Sequence, residues 1–148
     1  MKKIAVLGVG LVSVVVTAAA LGASVTTFKV AAKLTVAAEV PKVHGPAAAG
    51  GTFTGTVKVR GTVRTLTWKL TYAHLSGAGI AAHIHKGRPG KPGPVVVTLC
   101  GPCHLSQTGI SRVSAAVVKA IKSGSAYVNV HTRRNKAGEI RGQVKVVR

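Results

Sequence analysis

The stretch TFTGTVKVRGTVRTLTWKLTY, residues 52–72, alternates apolar and polar side chains along most of its length. Phe53, Val57 and Val59 fall on one face, and Thr54, Thr56 and Lys58 on the other. After Arg60-Gly61-Thr62 the pattern returns more strictly. Leu66, Trp68, Leu70 and Tyr72 point one way, and Thr65, Thr67, Lys69 and Thr71 the opposite way. A period of two belongs to strands with one buried face, and the interposed glycine marks a hairpin turn. Hydrophobic residues make up 47% of the chain but aromatics only 3%, so the core must be built from Val, Ala, Leu and Ile. Valine and threonine favour strands because branching at Cβ fits a pleated surface.

The remaining elements follow from the same patterning. Thr27 to Ala37 reads as a first strand, and Glu39 to Gly51 as a turn-rich connection with two prolines. Ala81 to Lys86 and Pro94 to Leu99 read as two strands separated by the loop GRPGKPG. Ser114 to Gly124 has helical spacing in Val117, Val118 and Ile121, with Ser114 placed to cap its start and Gly124 to end it. AYVNVHT and EIRGQVKVV then close the chain as a hairpin-like pair. The expected fold is all-β: an antiparallel β-sandwich or barrel of about seven to eight strands with one short helix.

Residues 1–23 have a basic start at Lys2 and Lys3, an uncharged apolar run and small residues at its end. That is the layout of a secretory signal peptide, with an uncleaved N-terminal anchor as the alternative. Residues 25–148 then form one exported domain, secreted or held in the periplasm or cell envelope, where disulfides are permitted. The charge is lopsided: 21 Lys and Arg against two acids, Glu39 and Glu139, for a net +19. Such a surface is drawn to polyanions, whether anionic lipid, cell-wall polymer, polysaccharide or nucleic acid, and anionic cell-surface polymers or proteins are the expected partners. No helix-turn-helix, zinc-finger spacing or RNA-binding aromatic motif is present, which argues against specific nucleic-acid recognition. A membrane would be met only through an uncleaved N-terminal segment.

Two groups of residues could carry chemistry. His83 and His85 lie two apart on one strand and share a face, with Cα atoms about 6.5–7 Å apart. On AYVNVHT, Val128 and Val130 take one face and Tyr127, Asn129 and His131 the other. If Ile84 and the valines fill the core and the two strands are neighbours, the three imidazoles gather on the outer surface. Neutral imidazole suits copper or zinc. The competing reading is that the pair hydrogen-bonds loop carbonyls and fixes a turn, and the chain's positive charge disfavours cations.

The second group is LCGPCHL. Cys-x-x-Cys-His is the c-type haem attachment pattern. Cys-Gly-Pro-Cys is also a thioredoxin-like redox pair. Haem is not expected, because the only methionine is Met1 and a small valine–alanine core has little room. A thioredoxin site needs a βαβ setting that is missing. A local disulfide between Cys100 and Cys103 is the favoured reading, shaping the loop and contributing about 2 kcal/mol. A zinc knuckle with His104 would be short of ligands.

EVPKV, LTYAHLSGAGIAAHIHKGRPGKPGPVVV and GSAYVNVHTRRNKAGEIRGQ together resemble the CHRD domain, the chordin repeat, in its exported single-domain bacterial form. The resemblance implies an extracellular β-sandwich and says little about activity. The histidine spacing also resembles the copper half of copper-zinc superoxide dismutase, itself a β-sandwich. His83 and His85 match its His-x-His strand and His131 its late ligand. The bridging histidine and zinc-ligand run have no counterpart in KGRPGKPGPVVV, so dismutase activity is not expected. An immunoglobulin-like or superoxide-dismutase-like sandwich is the fold both resemblances imply.

Glu39 and Glu139 fall inside the matching segments and are expected to have structural partners, Arg141 being one candidate. The mature chain has no aspartate, no Ser-His-Asp set, no paired carboxylates for glycoside chemistry and no phosphate-cradling loop. The expectation is an exported, non-enzymatic binding or envelope-associated module that engages anionic polymers or proteins. The alternative is a copper- or zinc-binding protein using His83, His85 and His131.

Overall fold

A computed structural model describes residues 24–147. The signal-peptide expectation concerns residues 1–23, outside the described part. Nine strands and one helix follow in chain order. They are β1 (Val25–Thr35), β2 (Gly50–Arg60), β3 (Val63–Ala73), β4 (Gly79–Lys86), β5 (Val95–Cys100), β6 (Ser106–Arg112), α1 (Ala115–Lys122), β7 (Ala126–Thr132), β8 (Ile140–Gln143) and β9 (Lys145–Val147). Every described strand pairing is antiparallel. The order β5-β4-β7-β8-β1-β2-β3-β6 curls into a nearly closed sandwich, and β9 adds to β1.

The alternation dictates which side chains meet. Phe53, Val57, Leu66, Leu70, Ile84, Val128 and Val130 are all wholly inside, joined by Trp68 and Tyr72. Each fully buried side chain of this size contributes about 1.5–3 kcal/mol. Gly61 forms the β2–β3 turn at φ +56°, a left-handed conformation that glycine adopts without strain. α1 buries Val117, Val118, Ala120 and Ile121 against the sheet. Its start is capped as the sequence suggests: the Ser114 hydroxyl accepts from the Val117 N–H at 3.2 Å.

Three details differ from the sequence expectation. β1 ends at Thr35, and Val36–Ala38 forms a 3-10 turn rather than more strand. EIRGQVKVV is not one strand. β8 pairs with β7, Val144 leaves the ladder to donate to Ala126 O, and β9 pairs with β1. The chain thus passes from one half of the sandwich to the other at this point. Finally, β6 carries no apolar alternation at all. Its inward positions are Gln107, Gly109 and Ser111, because the facing Trp68 fills the space: a Cβ on Gly109 would lie 2.4 Å from the indole.

Cys100 and Cys103 are joined by a disulfide at the end of β5. Cys103 N–H donates to Gly79 O, and its carbonyl accepts from the Tyr72 hydroxyl. The bridge thereby ties this corner to β3 and β4. Among the described residues, no helix is long and apolar enough to cross a membrane.

Candidate metal centre

β4 and β7 are neighbours, and their register places Ala81 opposite His131, His83 opposite Asn129 and His85 opposite Tyr127. Ala82, Ile84, Val128 and Val130 turn inward. The three imidazoles therefore share the outer face, as parity requires. One ring nitrogen from each of His83, His85 and His131 lies within 4.8 Å of the others. The ring centroids are 4.9–5.9 Å apart. Three nitrogens on one ion at about 2.0–2.1 Å can be at most about 4.1 Å apart. In a tetrahedral site they stand about 3.4 Å apart, so a pair at 4.8 Å would have to close by about 1.4 Å.

The outer surface proves to be covered rather than open. His85 and His131 are each only 8% exposed, and Asn129, Arg141, Glu39 and Glu139 on the same side are 2% or less. Period-two patterning assigns a face; it cannot see loops folded back over that face. Residues 87–93 and 133–138 do the covering, and the side chains beneath hold them. Arg141 Nη2 donates to the carbonyls of Arg88 and Lys91 at 3.1 and 2.8 Å. Gln143 Nε2 donates to Gly87 O and Gly124 O. The Tyr127 hydroxyl accepts from Gly93 N–H at 3.1 Å.

These loops also set the tautomers. His85 Nδ1 lies 2.9 Å from Gly93 O, and His131 Nδ1 lies 2.9 Å from Lys136 O. A carbonyl only accepts, so both Nδ1 atoms carry the proton and both Nε2 atoms present bare lone pairs. The His131 lone pair is met by His83 Nδ1 at 3.1 Å. The Nε2 of His85 is buried with no partner. A backbone carbonyl fixing the far nitrogen of a histidine is the support that metal-ligating imidazoles ordinarily have.

Burial lowers the pKa of all three rings below the ordinary 6.5. The neighbouring imidazoles lower His83 further, and the Gly93 and Lys136 carbonyls only partly offset the effect in His85 and His131. All three are neutral at physiological pH, the ligating form. The donor set is three imidazoles with an open position, which fits copper or zinc and does not suit magnesium or calcium.

Tyr127 completes the wall. Its ring stacks on His85 with centroids 4.8 Å apart and planes 9° off parallel. The Arg141 guanidinium carbon lies 3.4 Å from the Tyr127 ring centroid. Tyr127, Asn129 and Arg141 were not singled out by sequence reasoning as parts of this site. Parity alone places the first two on the face of His131, and that signal was available.

The two acids do have structural partners, but the pairing with Arg141 is not the one expected for Glu139. Glu139 accepts from Ser76 N–H and hydroxyl, Thr132 hydroxyl and Asn135 Nδ2. Burial opposes its ionisation, yet these donors outweigh it and hold the carboxyl below its ordinary value. Glu39 accepts from Asn129 Nδ2 at 2.9 and 3.1 Å. Burial raises its pKa from 4.5 to about 7, against the opposing pull of the Arg141 charge, the Val40 N–H and Asn129. Neither is a surface ion pair.

A loop-roofed antiparallel sandwich whose described residues bring one cluster of three histidines together on the outer face defines a small β-module. The CHRD domain family matches residues 30–144, and the chain belongs to that family. No curated protein and no solved structure matches the chain.

Proposed function

We propose that this CHRD domain is a non-catalytic, extracytoplasmic module that binds copper or zinc through His83, His85 and His131. One observation carries the reading: the buried Nε2 of His85 has no hydrogen-bond partner, on one of three histidines that bring a ring nitrogen within 4.8 Å of one another. An orphaned buried acceptor costs about 1–3 kcal/mol, and a ligated ion removes that cost. On binding, His83 moves its proton from Nδ1 to Nε2, so that Nδ1 and the two carbonyl-locked Nε2 atoms face the ion. The Cys100–Cys103 disulfide is compatible with an oxidising compartment, and export through residues 1–23 is part of the proposal.

Titration with Cu(II) or Zn(II) in a non-coordinating buffer tests it. The wild type should bind one equivalent, and a His83→Ala, His131→Ala variant should lose at least about a hundredfold in affinity. Equal, weak uptake by both proteins would overturn the assignment.

A second reading, engagement of anionic polymers, is supported by a different observation. The chain's two carboxylate side chains are both buried, so the described exterior displays cations without acidic counterparts. Binding to polyanions that weakens with salt and ignores chelator would support this reading and leave the metal site untouched.

A further inference from the structure

The half of the sandwich opposite the histidines carries an open face. There the outward residues of β1, β2, β3 and β6 are in register across four strands. Lys58 stands between Thr27 and Thr65, and Lys69 between Thr54 and Thr108. Lys29, Lys33, Arg60 and Arg112 complete the outward cations of these four strands, and threonine or serine fills most other positions. All of these side chains are exposed or half-buried. Unlike the histidine half, this half is covered by no loop among the described residues. A shallow groove of about 390 Å³ crosses the strands, lined by Lys29, Lys69 and four threonines together with the apolar Val30, Ala31, Trp68 and Val147. The Thr52 and Thr71 hydroxyls pair at 2.7 Å along the same face.

We infer that this face docks an acidic polysaccharide, a deeper form of the anionic-polymer reading on which it rests. Ammonium groups spaced about 7–14 Å apart, from strand spacing and rise, can each meet a carboxylate or sulfate along a glycan chain. The hydroxyls between them match sugar hydroxyls as donor and acceptor at once. The chemistry argues against two other polyanions. Single-stranded nucleic acid is held by aromatic stacking platforms, and Phe53, Trp68 and Tyr72 of these strands all turn inward. A lipid surface wants a broad apolar face, and here the exposed Val25, Val63, Ile110 and Val147 are kept apart by hydroxyls and cations.

Polygalacturonate binding by the purified protein at about 0.15 M salt tests the inference. A Lys29→Ser, Lys58→Ser, Lys69→Ser variant should bind about tenfold more weakly. A Lys119→Ser, Arg133→Ser, Arg134→Ser control, which removes the same charge elsewhere, should lose no more than about threefold. Equal losses would overturn this face while the general polyanion reading stood. No polygalacturonate binding by the wild type would end the glycan inference, and no binding to inorganic polyphosphate either would end the general polyanion reading with it. A Thr54→Val, Thr67→Val variant keeps the charge and the strand propensity. It should weaken polygalacturonate binding and leave inorganic polyphosphate binding unchanged. No effect on polygalacturonate, or tighter wild-type binding to single-stranded DNA or to phosphatidylglycerol vesicles, would overturn the choice of a glycan.

Discussion

At the scale of single residues, the chemistry is decided by what each polar group loses on burial and what it regains. Glu39 regains too little, and its carboxyl rises to about 7. Between 4.5 and that value the native state holds a proton that the unfolded chain has released, so this group's contribution to stability falls as pH rises. Glu39→Gln should therefore leave stability nearly unchanged at pH 5 and raise it by about 1–3 kcal/mol at pH 8, read by urea denaturation. The lowered histidines act with the opposite sign in the metal-free protein. Their contribution is present above the ordinary 6.5 and is lost as pH falls below it toward their native values. Comparing wild type with Glu39→Gln cancels that background. Gly138 is constrained more sharply. Its φ is +133°, and a Cβ there would sit 2.3 Å from the Asn129 amide nitrogen. Gly138→Ala should cost about 2–4 kcal/mol and lower the thermal midpoint.

At the scale of elements, the part legible in the sequence is the part governed by period two. The β2–β3 hairpin, the inward set Leu66, Trp68, Leu70 and Tyr72, the α1 cap and the shared face of His83, His85 and His131 all follow from local spacing. β6 was not legible, because its apolar face is supplied by Trp68 from the next strand and its own inward residues are small or polar. The break at Val144 was not legible either, since it depends on which strands lie on each side. Nor was the roof over the histidines, which exists because Arg141 and Gln143 reach loop carbonyls 50 and 56 residues earlier in the chain. That roof is testable. Arg141→Lys keeps the charge but loses the flat guanidinium that lies on Tyr127 while its Nη2 reaches both Arg88 O and Lys91 O. Hydrogen exchange at the amides of Gly87, Lys91 and Gly93 should speed up, and metal affinity should fall by about tenfold as His85 loses its fixed orientation. An unchanged affinity with faster exchange would mean that His85 is held by Tyr127 alone.

At the scale of the whole molecule, one sheet has two unlike outer surfaces. The β4–β7–β8 side is roofed and holds the imidazoles. The β1–β2–β3–β6 side is bare and holds hydroxyls and cations. The disulfide lies at the end of β5, where Cys100 stands opposite Ala82 and is buried with it in the core rather than among the imidazoles, so replacing Cys100 and Cys103 with serine should cost about 2 kcal/mol while leaving metal stoichiometry at one. Calorimetry on the double variant checks both numbers in one sample. The separation of the two surfaces also means that a His83→Ala variant should keep its affinity for polyanions.

With both Glu side chains enclosed, nothing acidic among the described side chains remains outside to complement a second copy of the chain. Two such molecules repel in dilute salt whatever their mutual orientation. Close packing along an envelope would then have to be imposed by a shared scaffold of opposite sign, with spacing between copies set by that scaffold and not by contacts among the proteins.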